Sequence, residues 1–228
     1  MSQNPIEQIE INLRNKALNE RKAALDELAK YPSEVAVPIL EKLARENDFG
    51  LRRLAVMGLG NHTSEASFQL LQKIVQHELD SNVLSEAANS IFEFGDIAVP
   101  VLQQLFENSD NWLVRQTVIS LFVETNYYET SFTLASSVLQ DDDIEQTLKE
   151  TAILALGQLL KSPLKDQALQ ILTELADSED WRTRWRTAIA LQHTQDLLAK
   201  ELIAKLQKDE HYRVVAAALE VASFWKEN

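Results

Sequence analysis

The sequence predicts an all-α solenoid of about seven stacked helical hairpins. Three observations predict it: a motif of thirty-odd residues that recurs along the chain, amphipathic segments of helical period between its copies, and a scarcity of helix breakers, with five Gly and five Pro in 228 residues.

The motif opens on an acidic residue or Asn, continues with a basic residue four positions later, and ends in small residues at helical spacing. Asp48-Phe-Gly-Leu-Arg52-Arg-Leu-Ala55-Val-Met-Gly58-Leu-Gly60 aligns position for position with Glu145-Gln-Thr-Leu-Lys149-Glu-Thr-Ala152-Ile-Leu-Ala155-Leu-Gly157. Asn111 to Arg115, Asp180 to Arg184 and Asp209 to Arg213 share the opening, Asp80 begins a copy with Leu84 in the basic position, and a degenerate copy carries Arg21 and Ala24. The basic position therefore recurs at 21, 52, 84, 115, 149, 184 and 213, in steps of 31, 32, 31, 34, 35 and 29 residues. Each copy is a second helix. First helices are predicted over 34–45, 65–78, 97–107, 129–140, 165–176 and 197–208, where apolar residues such as Ile39, Leu40 and Leu43 fall on one face.

The residue types have local reasons. Asp or Asn caps the first amides of its helix, and the basic residue four later is placed to pair with it across one turn. Ala55 with Gly58, and Ala152 with Ala155, let neighbouring helices approach, while Gly58, Gly60, Gly95 and Gly157 are read as helix terminators near the ends of second helices. Ile6, Ile9 and Leu13 form a covering helix at one end, and Phe224 with Trp225 closes the other, Trp225 having a second reading as a partner contact. The whole of 1–228 reads as a single domain: 1–32 a cap with the degenerate repeat, 33–208 the central repeats and 209–228 a capping helix.

Composition narrows the function. Hydrophobic residues make up 45% and charged residues 25%, as in a folded soluble protein. No apolar stretch is long enough for a membrane span and the first ten residues lack the pattern of a secretory signal, so a cytoplasmic location without integral membrane association is expected. There is no cysteine, which excludes disulfides, thiolate metal sites and thiol nucleophiles on this chain. A net charge of −13 opposes nucleic acid as a partner.

The repeats resemble HEAT repeats of the short bacterial kind named after phycobilisome lyases, a subtype supported by Ala36-Val37-Pro38-Ile39-Leu40 and Ala98-Val99-Pro100-Val101-Leu102, 62 residues apart. The resemblance implies a right-handed superhelix with second helices on its concave surface. It is similar in size to cyanobacterial bilin lyase subunits and phycobilisome-degradation factors, but no catalytic motif of those proteins maps onto this chain, and no catalytic residue is assigned.

Arg53, Trp112, Trp181, Arg182, Trp185, Arg186 and Tyr212 are the candidate partner- or ligand-binding residues. In Asp180-Trp-Arg-Thr-Arg-Trp-Arg186, helical spacing puts Trp181 and Trp185 on one side with Arg182 and Arg186 beside them, and Trp and Arg dominate protein-binding hot spots. Trp112 repeats the register of Trp181, and Tyr212 follows in the last copy; Phe49 and Ser81 interrupt the row. Arg52, Arg115, Arg184 and Arg213 rank lower, because they equally suit a structural ladder between repeats.

His62, His77, His193 and His211 are scattered without a ligand pattern, so no metal is expected. Asp141-Asp142-Asp143 lacks the Gly and distal Glu of a calcium loop and reads as a solvated turn. The reading is a protein-binding module without a cofactor, its partner held on the concave face and a phycobiliprotein the candidate. Two alternatives stand beside it: a bilin lyase or bilin-detaching factor, with arginines on the propionates and a Trp on the rings, and a passive scaffold.

Overall fold

Asp48, Asp80, Glu145 and Asp180 each turn a side-chain oxygen onto the free amides of the helix they precede, accepting from Gly50 (2.7 Å), Asn82 (2.9 Å), Leu148 (3.1 Å) and Arg182 (3.1 Å). Asn111 does the same for Leu113 at 3.0 Å. These caps start the second helix of five hairpins in a computed structural model that describes residues 4–140 and 144–227.

Fourteen α-helices lie among the described residues. The first helices are α1 (Pro5–Asn12), α3 (Ser33–Leu43), α5 (Glu65–His77), α7 (Val99–Asn108), α9 (Tyr128–Leu139), α11 (Lys165–Leu175) and α13 (Leu197–Leu206). Each is followed by its second helix: α2 (Leu18–Leu28), α4 (Phe49–Gly60), α6 (Ser81–Phe92), α8 (Trp112–Phe122), α10 (Gln146–Leu159), α12 (Trp181–Ala190) and α14 (Tyr212–Glu227). This is the predicted all-α solenoid of consecutive hairpins. The run Asp141 to Asp143 lies outside the described residues.

The chain divides into two compact units, Met1–Val118 and Ile119–Asn228. In the first, α4 packs on α6 and α3 on both α4 and α5; in the second, α10 packs on α9 and α12, and α12 on α14. Within each unit second helices thus stack on second helices, and neighbouring hairpins bury their apolar faces against one another. Ala55, Val56 and Leu59 of α4, Ala87 and Ile91 of α6, and Ala152, Ile153 and Leu156 of α10 are fully buried.

Small residues permit that stacking by close approach. A Cβ on Gly157 would stand 2.9 Å from the Cβ and 3.0 Å from the Cα of Ala190, and one on Gly60 would stand 3.0 Å from the Cβ of Ser90. Both glycines are contact points between successive second helices; Gly60 is also the last residue of α4, whereas Gly157 lies inside α10 and does not end it. Only Gly95, at φ 65° in a short 3-10 turn (Gly95–Ala98), takes the left-handed conformation among the described residues.

The two Ala-Val-Pro copies differ locally. Pro38 sits within α3, whereas Pro100 is in the first turn of α7 behind that 3-10 turn. At the C-terminal end Trp225 folds back and donates from Nε1 to the carbonyl of Gln192 at 3.1 Å, while Phe224 stays about half exposed.

Candidate functional site: an arginine-flanked aromatic cluster

Helix register divides the arginines into two groups. The amide of Arg21, Arg52, Leu84, Arg115, Lys149 or Arg184 donates to the carbonyl of the residue just before its helix, so all six are fourth in their helices. In α14 that bond is made by Val215, onto His211. Arg213 is therefore the second residue of its helix, the counterpart of Arg182, and does not belong to the basic position the sequence assigned it. The corrected register makes Tyr212 the counterpart of Trp181 and Trp112, each first in its helix. The 29-residue final step, short against the others, was the signal of this slip.

Two arginines in the fourth position build a ladder. Arg184 donates to the carbonyls of Ser178 (2.8 Å) and Glu179 (2.9 Å) and, through Nε and Nη2, to both oxygens of Asp209 at 2.7 and 2.9 Å. Arg52 repeats this with the carbonyls of Glu46 (3.2 Å) and Asn47 (2.9 Å) and the carboxylate of Glu78 at 2.7 and 3.1 Å. Neither pairs with the capping aspartate of its own helix, the partner expected from spacing, because the guanidinium reaches back under the turn and forward to the next hairpin. Arg21 shows a looser version, bonded to the Asn15 carbonyl and 3.7 Å from Asp48. Arg115 instead lies 4.5 Å over the Phe106 ring, its Nε buried without a hydrogen-bond partner among the described residues.

The ladder shifts its carboxylates. Hydrogen bonding from Arg184 holds Asp209 below the usual range, against the opposing effect of burial. Burial pushes Glu78 up, yet Arg52 and the amides of Asp80 and Leu79 together leave it below its ordinary value.

Where α12 and α14 begin, the side chains do something else. The Trp181 indole stacks on the His211 imidazole with centroids 3.9 Å apart and 9° between planes, and His211 in turn stacks on Tyr212 at 5.1 Å. Arg182 and Arg213 both lie over Trp181, at 4.7 and 5.4 Å from its centroid. Tyr212 is 71% exposed, and the Arg182 side chain 52% exposed, loosely facing Asp180 at 3.7 Å. The result is an aromatic column flanked by two accessible cations. His211 is the member that sequence reasoning missed, since it stands where α4, α6, α8, α10 and α12 are preceded by a capping Asp, Asn or Glu.

The other candidates are not part of this column. Arg186 stacks on Trp185 at 4.6 Å and pairs with Glu150 of α10, forming a separate unit on α12. Arg53 bonds Glu86 of α6 at 2.9 Å with half its side chain exposed. Trp112 is 43% exposed at the start of α8. Arg53 and Trp112 belong to the first compact unit, the column to the second.

Among the described residues no group of three or more His, Asp and Glu is placed to hold a metal, and no helix is long and apolar enough to cross a membrane.

A sequence pattern described as HEAT repeats matches residues 43–122 and 128–223. No curated protein matches the sequence. Among solved structures, YibA from Escherichia coli superposes with a TM-score of 0.66 at 14% identity, over 94% of this chain and 81% of that one. Kap121p gives 0.54 at 15% identity, over 96% of this chain and 29% of the other. The complex of CpcE and CpcF of phycocyanin lyase from Nostoc sp. gives 0.49 at 20% identity, covering 100% and 96%.

Proposed function

Since the chain belongs to the HEAT-repeat family, we propose that it is a protein-binding module whose contact surface in the second unit is the Trp181, His211 and Tyr212 column with Arg182 and Arg213. The observation that carries this reading is the contrast between two sets of arginines. Arg52 and Arg184 spend their donors on the fold, whereas Arg182 and Arg213 lie on an accessible aromatic column where a partner can reach them. Exposed Trp, Tyr and Arg side chains held together supply large contact area and charged hydrogen bonds at small entropic cost.

The partner class this reading favours is a folded phycobiliprotein of a photosynthetic antenna. Support for it is the sequence resemblance carried by Ala36 to Leu40 and Ala98 to Leu102. Replacing Tyr212 with a photo-crosslinking amino acid in native extract is expected to join the chain to a protein, and Trp181→Ala with Arg182→Glu to lose that adduct. An adduct pattern unchanged by those substitutions contradicts the assignment.

A second reading, bilin handling, is favoured by the flanking of one indole by two guanidiniums, a fit for a flat ring system bearing carboxylates. Arg53 and Arg186 suit it less, being engaged by Glu86 and Glu150. Mixing the protein with a bilin distinguishes the readings: a shifted absorption band supports the second, and an unchanged spectrum leaves the protein partner alone.

A further inference from the structure

The ladder has a missing rung. In α6 the position held by Arg52 in α4 and Arg184 in α12 is Leu84. The Leu84 amide still donates to the carbonyl of Asp80 at 3.0 Å, so the backbone keeps the register while the side chain brings no cation. The carbonyls that Arg52 and Arg184 bind lie five and six residues before them. Their equivalents here, on Glu78 and Leu79, receive no hydrogen bond from a described residue.

The vacated position is open. A groove of about 490 Å³ is lined there by Glu78, Leu79, Leu84, Ser109, Asp110 and Asn111. The last three form the turn before α8, which corresponds to the turns that supply Glu78 to Arg52 and Asp209 to Arg184. No Lys or Arg lines the groove, Asp110 is exposed, and Leu79 is 94% exposed. The lining residues therefore carry two backbone carbonyls that accept from no described residue, an uncommitted carboxylate and apolar surface, within a chain of net charge −13.

We propose that this groove is a receptor slot for an arginine side chain of a partner protein, which completes the ladder from outside. The guanidinium takes the carbonyls of Glu78 and Leu79 and the Asp110 carboxylate, and its aliphatic stem covers Leu79 and Leu84. Arginine suits the slot better than lysine because several acceptors in different directions call for a planar group with five donors and weak hydration. The stem adds apolar burial that a small cation lacks. The slot belongs to the first unit and shares no residue with the Trp181 column.

The test is a two-dimensional NMR titration of the full chain with N-acetyl-arginine amide, with N-acetyl-citrulline amide as the neutral analogue. One side chain is expected to bind with a dissociation constant on the order of millimolar. Saturable shifts are expected at the amides of Leu79, Asp110 and Asn111, with citrulline about tenfold weaker. Leu84→Arg, which fills the slot from within, is expected to abolish the shifts and raise the melting temperature, and Asp110→Asn to weaken them several-fold without altering the fold. Trp181→Ala is expected to leave them unchanged. Absence of shifts, equal shifts with citrulline, or shifts that persist in Leu84→Arg overturn the proposal. Should Leu84→Arg not fold, Asp110→Asn decides in its place, and shifts as strong as in the wild type overturn the proposal.

Discussion

Arg184 and Asp209 join two consecutive hairpins through a pair of hydrogen bonds, with side chains only 10% and 8% exposed. Removing the guanidinium leaves Asp209 buried and the carbonyls of Ser178 and Glu179 without their donor. Arg184→Ala is therefore expected to cost about 3–5 kcal/mol, the range for breaking a buried pair on one side. Arg53→Ala, which breaks a half-exposed pair with Glu86, is expected to cost about 0–1 kcal/mol. Urea unfolding monitored by circular dichroism measures both.

Arg213 stands outside the ladder. As the second residue of α14 it turns its guanidinium to Tyr212 and Trp181 near the surface, while its amide donates to Nδ1 of His211 at 3.4 Å. Arg213→Ala is expected to change stability by no more than about 0.5 kcal/mol, as for surface substitutions generally. A loss matching that of Arg184→Ala would return Arg213 to the ladder.

Acid should destabilise the protein in two stages. Burial lowers the pKa of His62, and burial with nearby Lys161 lowers that of His193, both from 6.5. Their depressed folded values mean stability that is complete above the unfolded pKa and is lost as pH falls through the folded one. Asp209 and Glu78 lie below ordinary values of 3.8 and 4.5, so their contribution persists to lower pH and then disappears in the same direction. The melting temperature is expected to decline first below pH 6.5 and again in the carboxylate range. Asp209→Asn should flatten the second decline and His193→Gln the first, as read by melting curves across pH.

Close packing at Gly157 sets a fourth expectation. A side chain there meets the Ala190 backbone, which cannot yield as a flexible side chain can. Gly157→Val is expected to destabilise by about 1–3 kcal/mol through overpacking. In Ala190→Gly the same substitution should cost less, since the nearest atom, the Ala190 Cβ, is gone; a double-mutant cycle of unfolding free energies measures the difference.

The fold was legible in the sequence because each hairpin repeats the same requirements. Asp48, Asp80 and Asp180 announce helix starts, and Ala55 and Ala152 announce contact faces, whichever neighbour they meet. The partner of Arg184 was harder to read. Spacing pointed to Asp180 one turn away, but the Asp180 carboxylate faces the helix amides and the guanidinium crosses to Asp209, a relation between repeats that no local pattern encodes. The same holds for the column at Trp181. Trp181 and Trp185 were expected to share a surface, yet each found its own arginine, and the main partner of Trp181 came from His211 in the next hairpin. His211 carried no signal of its own, because a residue before a helix reads as a cap until its ring is seen to stack.

The affinity of the protein crosslinked through position 212, measured for the wild type and for Trp181→Ala with Arg182→Glu, tests the division between structural and binding arginines most directly. The expected result is at least about tenfold weaker binding, equivalent to about 1.4 kcal/mol, at an unchanged urea midpoint. Unchanged affinity, or a loss of binding that only follows a loss of stability, would contradict it.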